Sequence, residues 1–183
     1  FFRSKKHQRS PHIISQLTIS HKIMQLAQKY QALLDEAQRR QLPDVDGIRL
    51  CFQALSLAAA IARDCAALLA PHGLSEGRFV LLFLLDAAPD GLAPAVLAQQ
   101  AGVSRATVTG LIDGLEREAL VARQADASDR RALRICLTPR GRQVAQAVFA
   151  QHGHWIASLF GPLDAAERTQ LARLLDKVAT RLE

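Results

Sequence analysis

The side chains best suited to chemistry in this sequence are small hydroxyls and arginines between residues 101 and 142. Arginine can bond guanine edges or phosphate, and threonine can contact phosphates, base edges and the methyl group of thymine. Such residues open one predicted helix, at Ser104, Arg105, Ala106, Thr107, Thr109 and Gly110. This surface would let a DNA groove approach closely. The alternative is that Ser104 only caps the helix and Arg105 is a solvated charge.

A second group of cations follows in a predicted β-hairpin. Arg130 and Arg131 lie at its tip, and Arg123 and Arg134 lie on the adjoining strands, where they could reach phosphates or a minor groove. We expect Asp129 to pair with an arginine and to hold the shape of the tip. A run of charges is usually a solvated face, but a basic hairpin directly after two short helices is more specific.

The local elements must hold these side chains in place. Apolar residues at Val108, Leu111, Ile112 and Leu115 recur at helical spacing and predict a helix over 105–118 that begins at Ser104. Pro94 opens a short preceding helix, 94–101. Strands are predicted from Leu120 to Arg123 and over 132–137, where apolar and polar residues alternate.

The rest of the chain predicts a mainly α protein with one small β-hairpin. Further helices are expected over 24–40, 48–70, 76–88, 139–160 and 165–182. The last two carry more apolar residues than a small domain can cover. Terminal helices of this kind usually bury themselves in a partner subunit, and a two-fold homodimer fits palindromic double-stranded DNA.

Composition narrows the class of protein. The net charge is +6, but five basic side chains and no acid fall within the first 24 residues, so total charge alone does not argue for DNA. We expect residues 1–23 to be either an artificial addition or upstream extension before a natural start at Met24, or a basic arm that touches DNA. Arg63 and Asp64 interrupt the longest apolar stretch, and no secretory signal is evident, so we expect no membrane span and a cytoplasmic protein.

The sequence gives little support for catalysis, cofactor binding or metal binding. Nothing in the sequence matches a phosphate-binding loop, GxSxG or HExxH, so we expect no enzyme and no cofactor. The three cysteines lack CxxC spacing, and His152 and His154 have no ligand-spaced partner, so no metal site is expected.

The residues 103–116, VSRATVTGLIDGLE, and 126–141, DASDRRALRICLTPRG, resemble the recognition helix and wing of bacterial MarR family winged helix-turn-helix regulators. The resemblance implies a homodimer with the recognition helix in the major groove and Arg130 or Arg131 in the adjacent minor groove. It also implies a repressor that a small molecule, often aromatic, releases from DNA. In this family the small molecule binds between the dimerisation helices and the winged domain. The sequence identifies neither this effector nor the residues that bind it.

The implied organisation has four parts: 1–23, a basic extension; 24–73, N-terminal helices for dimerisation and effector binding; 74–138, the winged helix-turn-helix; and 139–183, C-terminal dimerisation helices. The extra first helix resembles a urate-responsive branch, but Leu34 and Val80 replace its ligand-binding side chains, so urate is not carried over. Gly110 and Gly114 stand where many relatives carry basic or polar side chains, which shifts the expected DNA contacts toward Arg105 and the wing.

Two alternatives remain open. A peroxide-sensing regulator would use Cys51, although a buried cysteine is more often inert packing and the only tyrosine is Tyr30. A winged helix can also bind a protein instead of DNA. Salt dependence separates these interfaces, because DNA binding weakens steeply as salt rises.

Overall fold

The computed structural model describes residues 26–125 and 133–182, which are mainly helical with one two-stranded antiparallel hairpin. The order is α1 (Gln28–Arg39), α2 (Val45–Leu69), a 3-10 turn (Ala70–His72), α3 (Glu76–Asp86), α4 (Pro94–Ala101), α5 (Arg105–Arg117), β1 (Val121–Ala125), β2 (Leu133–Leu137), α6 (Pro139–Leu159) and α7 (Ala165–Ala179). The predicted fold class is confirmed.

The chain divides into two compact units, Phe1–Ala62 and Arg63–Glu183, with the boundary inside α2. In the described part of the first unit, Leu34 and Ala37 of α1 are buried. Tyr30 of α1 stacks on Phe52 of α2, with ring centroids 5.0 Å apart. Three leucines of α2 are at least 45% exposed: Leu50, Leu55 and Leu57.

The second unit contains the main hydrophobic core. Apolar side chains from every element between the end of α2 and α6 meet there, and the fully buried ones include Leu69, Leu81, Leu97, Val108, Leu115, Ile135 and Val148. Phe83 of α3 is 41% exposed and stacks on Phe149 of α6. The α3 helix therefore has one face outside this core.

Side-chain caps lie at the starts of three helices. Ser75 accepts a hydrogen bond from the Arg78 amide at the start of α3, and Thr138 accepts one from the Gly141 amide at the start of α6. Asp164 and Glu167 form the capping box of α7. These caps satisfy amides that have no partner within the helix.

The hairpin is short and joined to the rest of the unit. Val121 pairs with Leu137 and Ala125 with Leu133. Leu92, between α3 and α4, exchanges two backbone hydrogen bonds with Ile135 of 3.0 and 2.8 Å. This bridge holds the middle of β2 beside the loop that precedes α4.

One stretch bears on the expectation that the chain has no membrane span. By length and composition the helical segment Val45–His72 could cross a membrane, with a window of mean hydropathy 1.5, although Arg63 and Asp64 lie in this segment. Only 6% of that window is buried inside the chain. The test is weak for a single helix, because an apolar helix that packs against a partner also passes it.

Candidate nucleic-acid interface

The six predicted contact positions at the start of α5 all lie on the surface. Ser104, Arg105, Ala106, Thr107, Thr109 and Gly110 are exposed. Val108, which lies among them, is fully buried. Ile112, one turn later, is almost fully buried, and Leu115, two turns later, is fully buried. The helical period therefore turns the small and polar residues outward and the apolar residues into the core.

Hydrogen bonds within α5 already use several of these hydroxyls. The Ser104 oxygen accepts from the Thr107 amide at 3.1 Å and lies 2.8 Å from the Thr107 hydroxyl. The Thr109 hydroxyl donates to the Arg105 carbonyl at 3.0 Å. Arg105 is the long side chain at the start of α5, and among the described residues its guanidinium has no hydrogen-bond or ion-pair partner, so its donors can reach a base or phosphate.

The two glycines of α5 have different surroundings. A Cβ atom added to Gly110 would meet no atom within 4 Å, so this position leaves open surface. Gly114 is buried, and an added Cβ would lie 2.3 Å from the Arg78 guanidinium. Only Gly110 therefore leaves a gap that a DNA edge could enter.

The two strand arginines, which we expected to be able to reach phosphates or a minor groove, have partners within the chain. Arg123 of β1 forms ion pairs with Asp113 and Glu116, both on α5. The hydrogen bond with Asp113 raises the pKa of the Arg123 guanidinium, so the group stays charged. Arg134 of β2 donates to the Gly91 carbonyl at 3.1 Å. Both side chains hold the base of the hairpin against neighbouring elements.

Arg130, Arg131 and Asp129 lie outside the described residues. Their roles in the minor groove and in the shape of the tip stay predictions.

The cysteines have distinct environments. Cys51, the predicted redox residue, is exposed in the first unit. Cys65 is buried in the second unit, with its sulfur 3.4 Å from Nε2 of His152, and His152 packs between Phe79 and Trp155. Sequence spacing could not reveal this pair, because its members are 87 positions apart.

Burial raises the pKa of the Cys65 thiol, and the negative charge of Glu76 raises it further. This shift disfavours the thiolate that metal binding or redox chemistry requires. Among the described residues, no group of three or more His, Cys, Asp or Glu side chains could hold a metal ion.

Arg78 is a functional candidate that the sequence reasoning missed. It lies on α3 but reaches the end of α5, where its guanidinium donates to Glu118 at 2.7 Å. Gly114 in the middle of a helix was the one available signal, since glycine there often marks a close approach by another group.

Comparisons with known proteins agree with this geometry. The family model described as "MarR family" matches residues 72–132. The HTH-type transcriptional repressor YetL of Bacillus subtilis (strain 168) is 28% identical over 155 residues, which cover 84% of this chain and 93% of that protein.

Two solved structures extend the comparison. The MarR family protein Rv2887 of Mycobacterium tuberculosis, in complex with salicylic acid, is 32% identical with a TM-score of 0.52, covering 70% of this chain and 95% of that one. The S. aureus MepR–DNA complex is 25% identical with a TM-score of 0.60, covering 69% of this chain and 93% of that one. The chain therefore belongs to the MarR family of winged helix-turn-helix proteins and is a DNA-binding regulator of transcription, not an enzyme.

Proposed function

We propose that this protein is a repressor that binds a palindromic operator as a homodimer and leaves it when a small, aromatic molecule binds. The observation that carries the DNA contact is the exposed start of α5, where small residues surround the Arg105 side chain. In this arrangement α5 enters the major groove and Arg105 bonds a guanine edge or a phosphate. The wing arginines Arg130 and Arg131 add minor-groove or phosphate contacts.

The homodimer is supported by apolar surface that the single chain leaves uncovered. No residue of α7 is buried, and its exposed apolar face includes Leu174, Leu175 and Val178. A contiguous apolar face of this kind marks a protein contact. A second copy of the chain is the partner that would also supply the second recognition helix of a palindrome.

The effector is proposed from a relative. The Rv2887 structure contains salicylic acid. A small aromatic acid is therefore the first class to test, with salicylate as the probe in a thermal-shift and DNA-release assay. Release of DNA by salicylate or a related acid would support the proposal, and a constant affinity across an aromatic-acid series would oppose it.

The four-part organisation given above and a cytoplasmic location belong to the same proposal. The apolar α2 then packs in a protein interface instead of a membrane. Fractionation of cells expressing the full chain tests this, since recovery in the membrane pellet after a salt wash would contradict it.

The DNA contact is tested by in vitro selection from random duplexes with the wild-type chain. The selected duplex and a scrambled duplex of equal composition are then compared by fluorescence anisotropy. We expect Arg105→Ala to weaken binding to the selected duplex by about 10- to 100-fold, the range of one good base contact. The control is Arg40→Ala, which removes a charge from the exposed end of α1.

Two results would contradict the proposal. One is that selection enriches no sequence. The other is that Arg105→Ala and Arg40→Ala bind the selected duplex equally well. Binding should also weaken steeply as salt rises, whereas an apolar protein interface should not respond in this way.

A further inference from the structure

Arg78 connects three parts of the second unit at one point. From α3, its Nη1 atom donates to the Glu118 carboxylate at 2.7 Å and to the Gly73 carbonyl at 3.2 Å. Glu118 follows the last residue of α5, and Gly73 ends the 3-10 turn that joins α2 to α3. The Arg78 side chain is only 24% exposed, so solvent screens these bonds less than it would on an open surface.

The backbone leaves room for this side chain. Gly114 lies beneath the guanidinium, where an added Cβ would come within 2.3 Å of Nη2. One turn away, the glycine is on α3 and the side chain is on α5: a Cβ added to Gly77 of α3 would lie 3.1 Å from the Leu111 side chain of α5. Each helix thus supplies a glycine where a side chain of the other helix enters, and the angle between α3 and α5 depends on both contacts.

The chemistry of arginine suits this position. Its planar guanidinium carries five donors in a fixed arrangement, so it can bond a carboxylate and a carbonyl together while lying flat over a glycine. The Glu118 side chain also lies 3.7 Å from where a Cβ of Gly73 would be. We call Arg78, Glu118, Gly73 and Gly114 the Arg78 cluster, because Arg78 contacts each of the other three residues.

We propose that Arg78 is a positioning residue for operator recognition, which fixes the end of the recognition helix α5 to the junction between α2 and α3. It acts through α5 and not by touching DNA, because its Nη1 atom donates to Glu118 and Gly73 and its guanidinium lies over Gly114. Holding one end of α5 sets the angle at which residues 105–110 meet the base edges. This inference rests on the proposed DNA-binding function.

Glu118 gives the sharpest test, because two explanations predict opposite signs. If charge alone mattered, Glu118→Gln would remove a negative charge near DNA and tighten binding to any duplex. If the cluster positions α5, Glu118→Gln and Arg78→Gln should each lower the ratio of selected-duplex to scrambled-duplex affinity by about tenfold, roughly the value of one charge-assisted hydrogen bond.

The double variant tests whether the two residues act together. Arg78→Gln with Glu118→Gln should lose little more than either single variant, because both changes remove the same bond. Gly114→Ala should reproduce the loss by displacing the guanidinium. The matched control is Arg40→Gln, which breaks the Arg40–Glu36 ion pair on α1 and should leave the ratio unchanged.

The salt dependence of binding separates positioning from contact. Arg78→Gln should leave the slope of log affinity against log salt unchanged, whereas loss of a phosphate contact lowers it by about one. A lower slope, tighter binding by Glu118→Gln, or an unchanged affinity ratio in both single variants would each overturn the proposal.

A measurement without DNA keeps this inference distinct from the proposed function. Amide hydrogen exchange should accelerate at residues 113–118 in Arg78→Gln while α4 stays protected. If the wild-type chain selects no DNA sequence, the proposed function fails whatever the exchange shows. If selection succeeds but exchange and affinity ratio do not change, only the role of Arg78 fails.

Discussion

Arg105 differs from its neighbours at the start of α5 because its side chain is not needed for the helix. Ser104 and Thr107 bond each other, and the Thr109 hydroxyl donates to a carbonyl one turn back. The Ser104–Thr107 bond uses one of its two hydroxyl hydrogens, so one hydroxyl of this pair can still donate to DNA. In the proposed complex, Arg105 is the long side chain of this surface that can bond a base edge.

The cysteines should differ in reactivity. Burial, with Glu76 adding its charge, raises the pKa of the Cys65 thiol, so Cys65 stays protonated at neutral pH. Cys51 is exposed. We expect iodoacetamide at about pH 7.5 to label Cys51 at least about tenfold faster than Cys65, as measured by peptide mass spectrometry. Equal rates would contradict the burial of the Cys65 thiol.

The same shift has a consequence for stability. Because the folded pKa of Cys65 lies above the unfolded value, its protonated form contributes stability that is present below the unfolded pKa and is lost as pH rises through the folded pKa. The wild-type chain should therefore lose more stability than Cys65→Ala between about pH 8 and 10. Chemical denaturation at both pH values measures the free energy of unfolding of each protein. An equal loss of stability in the wild type and in Cys65→Ala would contradict this prediction.

At the scale of elements, the hairpin is fixed where it meets α6. The Thr138 hydroxyl donates to the Ala119 carbonyl at 2.7 Å while its oxygen accepts from the Gly141 amide. Gly141 packs so closely that an added Cβ would lie 1.8 Å from the Leu120 carbonyl oxygen. The backbone of α6 contacts the backbone at Leu120 here. A side chain at position 141 would therefore require the backbone to move, because no side-chain rotamer change could make room for it.

We expect Gly141→Ala to lower the free energy of unfolding by about 1–3 kcal/mol, the usual cost of overpacking. Gly110→Ala is the matched comparison, because its Cβ enters open space and alanine favours a helix interior by about 1 kcal/mol. Urea denaturation of the two variants should thus shift the midpoint in opposite directions. If Gly141→Ala were as stable as the wild type, the close contact would not exist in solution.

At the scale of the whole molecule, the exposed apolar face of α7 is the feature that the single chain does not explain. We expect Leu174→Glu with Val178→Glu to convert a dimer into a monomer, because charges would be buried in the proposed interface. Analytical ultracentrifugation measures the change. The control is Thr169→Glu, on another face of the same helix, which should remain a dimer.

The dimer variant also tests the palindrome. A monomer contacts one half-site, so its affinity for the selected duplex should approach that for the scrambled duplex. A wild-type chain that sediments as a monomer, or a Leu174→Glu and Val178→Glu variant that still dimerises, would exclude α7 as the interface.

Much of this architecture could be predicted because its signals are local. Ser75, Ser104, Thr138 and Asp164 each cap the helix that the sequence predicts, and Val108 and Ile112 are buried as their spacing requires. Caps and helical periodicity act over three or four residues, so they can be read without knowing what lies nearby.

The tertiary structure decided which charges are available and which glycines are open. The sequence presents Arg123 and Arg105 alike, yet Arg123 pairs with Asp113 and Glu116, whereas Arg105 forms no ion pair within the part of the chain that the structure describes. It also presents Gly110 and Gly114 alike, although only Gly114 receives Arg78 from 36 positions earlier in the chain. Pairing of this kind depends on distances across the core, and those distances exist only once α3, α5 and the hairpin have packed together.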